Sequence, residues 1–428
     1  MQKNILIIAY YWPPAGGPGV QRWLKFVKYL PEFNVNPIVC VPENANFPLL
    51  DESLVDEIPK GLEVIKRPIK EPYGLAGLFS SKKTKTISKG IISEDKKQSF
   101  VEKLMLFIRG NFFIPDARIG WINPSVKFLT DYLNQHQVDA IITTGPPHSV
   151  HLIGLGLKKR LGIHWIADFR DPWTTIGYHK ELKLTKASAE KHLRLEKEVL
   201  NSADRVIVTS SVTKREFEAK TSKPISVITN GYDVEKVGEI NRDSKFSLAH
   251  IGSLLSKRNP EILWRVLSDL RKEDVSFSTD LEINLVGAVS NDVIQTLKSY
   301  GLMDCLNEFG YVNHSEAIKY QRQSQVLLLL EIDSKDHQHI IPGKLFEYMA
   351  SHRPILALGP KGSDVEGILK YTNTGAYFLY NDYDALKLKV LEYYHAFKKG
   401  ELETYPIGVQ KYSRRALTKD LVNIMPWV

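Results

Sequence analysis

Short apolar runs recur along this chain, and stretches with helical spacing of apolar positions fill the gaps between them. In the first half the runs are Asn4–Ala9, Pro37–Val41, Asp139–Thr143, Ile163–Asp168, Arg205–Thr209 and Ile225–Thr229. In the second half they are Phe246–Ile251, Glu282–Val286, Val326–Leu330, Pro354–Leu358 and Gly375–Leu379. Continuous apolar runs alternating with helices predict parallel strands covered on both faces. Both halves read as α/β. The turn signal Asn230-Gly231 and the polar stretch Asp233–Lys245 predict a seam. That gives an N-terminal domain over residues 1–238 and a C-terminal domain over 239–405. The last helical pattern, Lys411–Met425, lies beyond the second set of strands, so residues 406–428 are expected to cross back onto the first domain.

One region breaks the alternation. Within residues 72–120 a basic run, Lys82, Lys83, Lys85, Lys89, Lys96 and Lys97, precedes the largely apolar segment Phe100–Ile114. Two readings stand. It is either a membrane-surface patch, lysines on anionic lipid with apolar side chains dipping in, or a solvated loop followed by a core-packed helix.

At 428 residues the chain exceeds what one hydrophobic core holds, in keeping with two domains. Lysine plus arginine outnumber aspartate plus glutamate by 57 to 49, a net +8 that suits phosphate-bearing ligands or an anionic surface. With no zinc-knuckle spacing and no RNA-binding aromatic signature, nucleic acid is not an expected partner. Cys40 and Cys305 read as free thiols of a cytoplasmic protein. No charged segment precedes a long apolar run at the N-terminus, and no apolar stretch of about 18 residues exists to span a membrane. The expected location is cytoplasmic, peripheral at the inner face of the cell membrane on the first reading of the basic run.

Several segments carry chemistry. The first strand ends in a loop containing Gly16, Gly17 and Gly19, where glycines let backbone approach a ligand ahead of a helix. The second domain opens with His250-Ile251-Gly252-Ser253, followed by Lys257 and Arg258. Arg258 can chelate a diphosphate, and Lys257 adds a point charge. The segment Ile341-Pro342-Gly343-Lys344, continuing to Glu347, marks a helix start with free amides. Lys344 and Glu347 share a face of that helix. Glu347 is placed to accept from ribose hydroxyls, or else to pair with Lys344. In the first domain His148, Arg170 and Asp171 follow adjacent strands and converge on one crevice. His148 or Asp171 can orient an acceptor hydroxyl or take its proton. His151 reads as a packed helix histidine; Asp168 and Asp171 read equally as catalytic or as structural partners of Arg170.

The order of these features resembles glycosyltransferase family 4, retaining enzymes of the GT-B architecture. The matching pieces are the Gly16-Gly17 loop, Thr229–Asp233, Gly252, Gly310–Ala317, Gly343–Ala350 and Arg353-Pro354. The resemblance implies two facing Rossmann-like domains with a deep cleft. It implies a hexosyltransferase moving sugar from a nucleotide-diphosphate donor to a glycan or lipid-linked acceptor in cell-surface polysaccharide synthesis, with no metal or other cofactor. Under it, Glu347 binds ribose, and Arg258 and Gly17 contact the diphosphate. Gly16, Gly252, Ser253, His339, Ile341, Pro342, Gly343 and Lys344 complete the donor site. His148, Asp171, Arg258 and Lys344 serve catalysis. Two positions depart from the family pattern: Ser253 stands where a first cation is expected, and His339 where an acid handles the donor sugar. Lys344 can supply the missing charge. The alternatives are a non-hydrolysing nucleotide-sugar epimerase of the same fold and a non-catalytic nucleotide-sugar-binding subunit.

Overall fold

The computed structural model describes residues 2–71, 100–233 and 240–427; the basic run Lys82–Lys97 lies outside them. The chain divides into two compact units, Met1–Asn230 together with Arg414–Val428, and Gly231–Ser413.

The first unit is built on seven parallel strands in the order β3-β2-β1-β4-β5-β6-β7. They are β1 Lys3–Ala9, β2 Val35–Pro42, β3 Glu63–Arg67, β4 Ala140–Gly145, β5 Trp165–Phe169, β6 Arg205–Val208 and β7 Ile225–Val227. Because side chains alternate along a strand, β1 feeds two cores. Leu6 and Ile8 join Ile141 and Ala167 on one face; Ile5, Ile7 and Ala9 join Ala140, Ile142 and Ile166 on the other. The helix Arg414–Asn423 belongs to this unit. Its Leu417 and Leu421 share a cluster with Trp23 and Val27 of the helix Pro18–Tyr29, and Arg414 donates to Gln21 at 2.9 Å.

The second unit has six parallel strands in the order β10-β9-β8-β11-β12-β13. They are β8 Phe246–Ile251, β9 Leu281–Val286, β10 Leu306–Gly310, β11 Val326–Leu330, β12 Ile355–Leu358 and β13 Gly375–Phe378. The same alternation divides β11, with Leu328 and Leu330 in one cluster and Leu327 and Leu329 in the other.

Two strands, β3 and β10, escaped the apolar-run pattern, and each lies at the edge of its sheet. An edge strand with a solvent-facing side needs no continuous apolar run. Glu63–Arg67 reads Glu-Val-Ile-Lys-Arg and Leu306–Gly310 reads Leu-Asn-Glu-Phe-Gly, and neither has a fully buried residue. In each sheet the order reverses once, between β1 and β4 and between β8 and β11. Such switch points, at the carboxyl ends of the strands, are where open α/β sheets bind ligands.

The helix Phe100–Phe112 buries Leu106 and lays Gly110 against Leu182, where a Cβ would come within 2.7 Å of the Leu182 carbonyl oxygen. Its Asn111 accepts from the Thr185 amide at 2.7 Å. Leu104, Phe107, Ile108 and Phe112 remain exposed, Phe112 at 71%. Of the two readings of this segment, packing on the core accounts for one side of the helix only.

Candidate functional site

At the switch point of the second sheet, β8 runs into Gly252, whose φ of 122° suits glycine alone. Its missing side chain matters as well, since a Cβ there would lie 2.6 Å from Lys344 Nζ. Gly252 therefore opens the slot that Lys344 occupies. Behind it, His250 is 1% exposed, and its Nδ1 lies 3.0 Å from the Leu328 carbonyl. A carbonyl only accepts, so Nδ1 carries the proton and Nε2 presents its lone pair to Lys344 Nζ at 3.3 Å. Burial, then the charge of Lys344, holds this imidazole neutral, well below its usual range. Tyr348 fixes the arrangement. The Ile251 amide donates to its hydroxyl at 2.9 Å, and the hydroxyl donates to the Ile251 carbonyl at 3.3 Å, locking the lysine-bearing segment to the end of β8.

Arg258 closes the one-turn segment Ser256–Arg258 that follows. It is half-buried, and its Nε is buried with no hydrogen-bond partner. Burial lowers its pKa, while Tyr380 and Glu331 raise it. Burial and then Arg258 bring the Lys344 ammonium down to about 7, with Glu347 opposing. Among the described residues neither cation has a carboxylate within salt-bridge distance. Two enclosed positive groups thus face each other's field with no carboxylate in contact, a costly state that a bound anion relieves.

Glu347 does not pair with Lys344. Its Oε2 accepts from Nε2 of Gln321 (3.0 Å), a residue 3% exposed on the helix His314–Gln323, and among the described residues no donor reaches Oε1. The carboxylate is oriented and half spent, as a hydroxyl-binding group requires. The helix carrying both residues, Lys344–Ala350, has only seven residues, and the amides of Leu345 and Phe346 already donate to Pro342 and Gly343. Anion attraction here rests on the side chains of Arg258 and Lys344 more than on the helix end expected at Gly343. Ser253 is exposed, His339 and Ile341 are buried, and Pro342 and Gly343 are half-buried.

In the first unit, Gly17 has φ 107° and caps the helix Pro18–Tyr29, and a Cβ there would meet nothing within 4 Å. The space before it is open, as close backbone approach to a ligand requires. Gly16 is closed in, with Leu49 and Asp51 3.1 Å from where its Cβ would sit. Asp168 corrects an expectation: its partner is Arg22, not Arg170. Arg22 Nη2 reaches Oδ1 at 3.0 Å, while Trp23 Nε1 and Thr144 Oγ1 each donate to Oδ2 at 2.8 Å. Burial pushes this carboxyl up, but Arg22 and those bonds bring it net below the usual range. A carboxylate so fully engaged has no capacity left to take a proton.

Arg170 instead donates to the carbonyls of Gly145 and Pro146, over the ring of Tyr11. Gly19, which no expectation had singled out for Arg170, makes that possible: a Cβ there would sit 1.5 Å from Arg170 Nη1. Asp171 is half-buried, and burial raises its carboxyl while Arg170 opposes. His148 is 5% exposed and stacks on Trp173 at 4.8 Å, with both ring nitrogens buried and unbonded. Burial, then neighbouring His151 and His179, keeps it neutral. His151 bonds Thr143 at 2.9 Å and stacks on Phe169 at 4.2 Å, the packed histidine anticipated. Among the described residues no group of three or more His, Cys, Asp or Glu is arranged to hold a metal ion, and no helix is long and apolar enough to cross a membrane.

Residues 91–236 match the model of the family described as Glycosyltransferase Family 4. The solved sucrose-phosphate synthase from Thermosynechococcus elongatus is similar over 99% of this chain and 98% of its own, with 12% identity and a TM-score of 0.61. The Anabaena protein HepE, solved in complex with UDP-glucose, is similar over 99% and 100%, with 12% identity and a TM-score of 0.58. A putative UDP-N-acetylglucosamine 2-epimerase from Listeria monocytogenes is similar over 99% and 95%, with 9% identity and a TM-score of 0.55. No curated protein matches by sequence. The chain has the GT-B fold of two Rossmann-like units, as the resemblance led one to expect, and its residues 91–236 match the family 4 glycosyltransferase model.

Proposed function

We propose that this chain is a retaining, hexosyltransferase-type glycosyltransferase that uses a nucleotide-diphosphate sugar and transfers the sugar to a glycan or lipid-linked acceptor in cell-surface polysaccharide synthesis. The observation that carries the reading is the Arg258–Lys344 pair, enclosed at the switch point with no carboxylate partner and with Glu347 oriented beside it. A diphosphate supplies the missing anion, and the adjoining ribose takes the unspent Glu347 oxygen. As the glycosidic bond to the donor breaks, negative charge grows on the diphosphate, where the two cations stabilise it. The charge they bring is the contribution a metal makes elsewhere, so the reaction is expected to run without one. On the acceptor side, Asp171 with its raised carboxyl and the neutral His148 are the groups suited to orient a hydroxyl or take its proton. The epimerase alternative shares the fold. The family match over residues 91–236 favours transfer, and an epimer formed from donor alone would reverse that choice.

The test is a thermal-shift and calorimetric screen of UDP, GDP, ADP and their sugar conjugates, repeated with a chelator present. One nucleotide class is expected to stabilise the protein, unchanged by the chelator. Glu347→Ala is expected to weaken that ligand by about 1.5–3 kcal/mol, the range for hydrogen bonds to a charged group, without unfolding the chain. Equal affinity in both proteins removes Glu347 from the site.

The exposed face of Leu104, Phe107, Ile108 and Phe112 supports a peripheral seat on the inner face of the cell membrane. Replacing Phe107 and Phe112 by serine is expected to lower partitioning onto vesicles containing phosphatidylserine several-fold. Equal partitioning of the two proteins refutes the membrane seat.

A further inference from the structure

Glu331 follows directly after β11, on the strand flanking the switch point, and no motif singled it out. It is 4% exposed. Ser363 Oγ donates to its Oε1 at 2.9 Å, and the Tyr377 hydroxyl lies 3.0 Å from its Oε2. The same Tyr377 hydroxyl lies 2.8 Å from the Pro360 carbonyl. The site is built to hold this pair, because a Cβ on Gly359 would come within 2.4 Å of Glu331 Oε2 and 2.3 Å of the Tyr377 hydroxyl.

Counting protons decides the chemistry. A phenol has one proton, yet Tyr377 stands between two groups that, with Glu331 ionised, only accept. Either the carboxylate or the carbonyl would then face an oxygen lone pair inside the protein. With a proton on Oε2 the conflict disappears: Glu331 donates to Tyr377, Tyr377 donates to Pro360, and Ser363 donates to Oε1.

We propose that Glu331 is held as a neutral carboxylic acid, and that by staying neutral it leaves the charge of Arg258 free for the donor's diphosphate. The second clause rests on the donor site proposed above; the first does not. Burial raises this carboxyl to about 7, with Ser363, Tyr377 and Arg258 opposing and Asp364 adding to the rise. The charged and titratable groups around it are few. The charge of Arg258, in the segment after β8, reaches it without salt-bridge contact, as does that of Asp364 on the helix Asp364–Thr372. Tyr377 of β13 has Glu366 nearby, and Tyr380, which donates to the Glu331 carbonyl at 2.7 Å, has Asp333 nearby. Apart from Arg258 these charged neighbours are acids, so the proton is the means by which the network avoids adding another negative charge. As pH rises through the range where Glu331 ionises, an anion appears within the electrostatic reach of Arg258 and diphosphate binding weakens. Conversely, a bound diphosphate draws the proton onto Glu331.

Glu331→Gln tests both clauses, because its amide donates to Tyr377 and accepts from Ser363 as the neutral acid does but cannot ionise. Infrared difference spectra between the two full-length proteins at pH 6.5 are expected to show the carbonyl stretch of a neutral carboxylic acid, absent from the variant. Its absence from the native protein overturns the first clause. Calorimetry with inorganic pyrophosphate, whose own titration cancels between the two proteins, is expected to give equal affinities at pH 6.5. At pH 8.5 the native protein is expected to have lost about fivefold more affinity than the variant, the size of a screened charge interaction. Lys344 titrates in both proteins and cancels likewise. Parallel pH profiles overturn the second clause. Failure of pyrophosphate to bind either protein rejects the donor site and the link to Arg258, while the infrared band still decides the proton. Should Glu331→Gln not fold, Tyr377→Phe removes the acceptor of that proton and is expected to shift the acid's carbonyl band; an unmoved band counts against the network.

Discussion

Asp168→Ala is expected to destabilise the first unit by about 3–5 kcal/mol, the cost of breaking a buried ion pair from one side. The carboxylate is fully enclosed and gathers Arg22 and Trp23 from the first helix and Thr144 from the end of β4. Arg22 in turn donates to the Thr229 carbonyl at 2.7 Å. Removing the acid leaves a guanidinium that is 2% exposed with no counter-ion and an indole N–H with no acceptor. The pH dependence has a definite sign. Because the folded carboxyl lies below its unfolded value, its contribution is present at neutral pH and is lost as pH falls through the acid range. Urea unfolding at pH 7 and at pH 3 measures both. A loss under about 1 kcal/mol at pH 7 means that the pair is not the closed structure described.

Arg258→Ala is expected to act in the opposite sense on stability and function. Donor affinity should fall by about 2–5 kcal/mol, as when one member of an enclosed charge pair is truncated. The ligand-free protein should hold its melting temperature or gain up to about 1 kcal/mol, because an uncompensated enclosed cation has been removed. Lys344→Met should behave alike, its apolar chain filling the slot beside Gly252. In the native protein the Lys344 ammonium titrates near 7, so its attraction for a diphosphate is complete below that pH and declines above it. Calorimetry with the nucleotide found in the screen, beside thermal melts without it, separates the two effects. If affinity and stability fall together, Arg258 is holding the fold and the assignment to the donor fails.

What the sequence revealed follows the physics of burial. Strands covered on both faces, such as Ile5–Ala9 or Val326–Leu330, must be apolar throughout and are visible as runs. The edge strands Glu63–Arg67 and Leu306–Gly310 face solvent and carry charge, so no run marks them. At the site, Lys344 and Glu347 were legible because helical spacing is local. The pairing of Asp168 was not: Arg170 is two residues away, whereas the true partner, Arg22, lies 146 residues away on another element. Glu331 was silent for the same reason, since its partners Ser363 and Tyr377 lie 32 and 46 residues on and only the sheet brings them together.

The helix Arg414–Asn423 has a consequence for the order in which the molecule is made. Its Leu417 and Leu421 complete the cluster around Trp23 and Val27, so the core of the first unit is finished by residues synthesised after the whole of the second. During translation the N-terminal half therefore waits with an apolar groove open along the helix Pro18–Tyr29, where it is vulnerable to aggregation and to chaperone capture. Emergence of the helix Arg414–Asn423, rather than emergence of the N-terminal domain, is the moment at which that half becomes a finished fold.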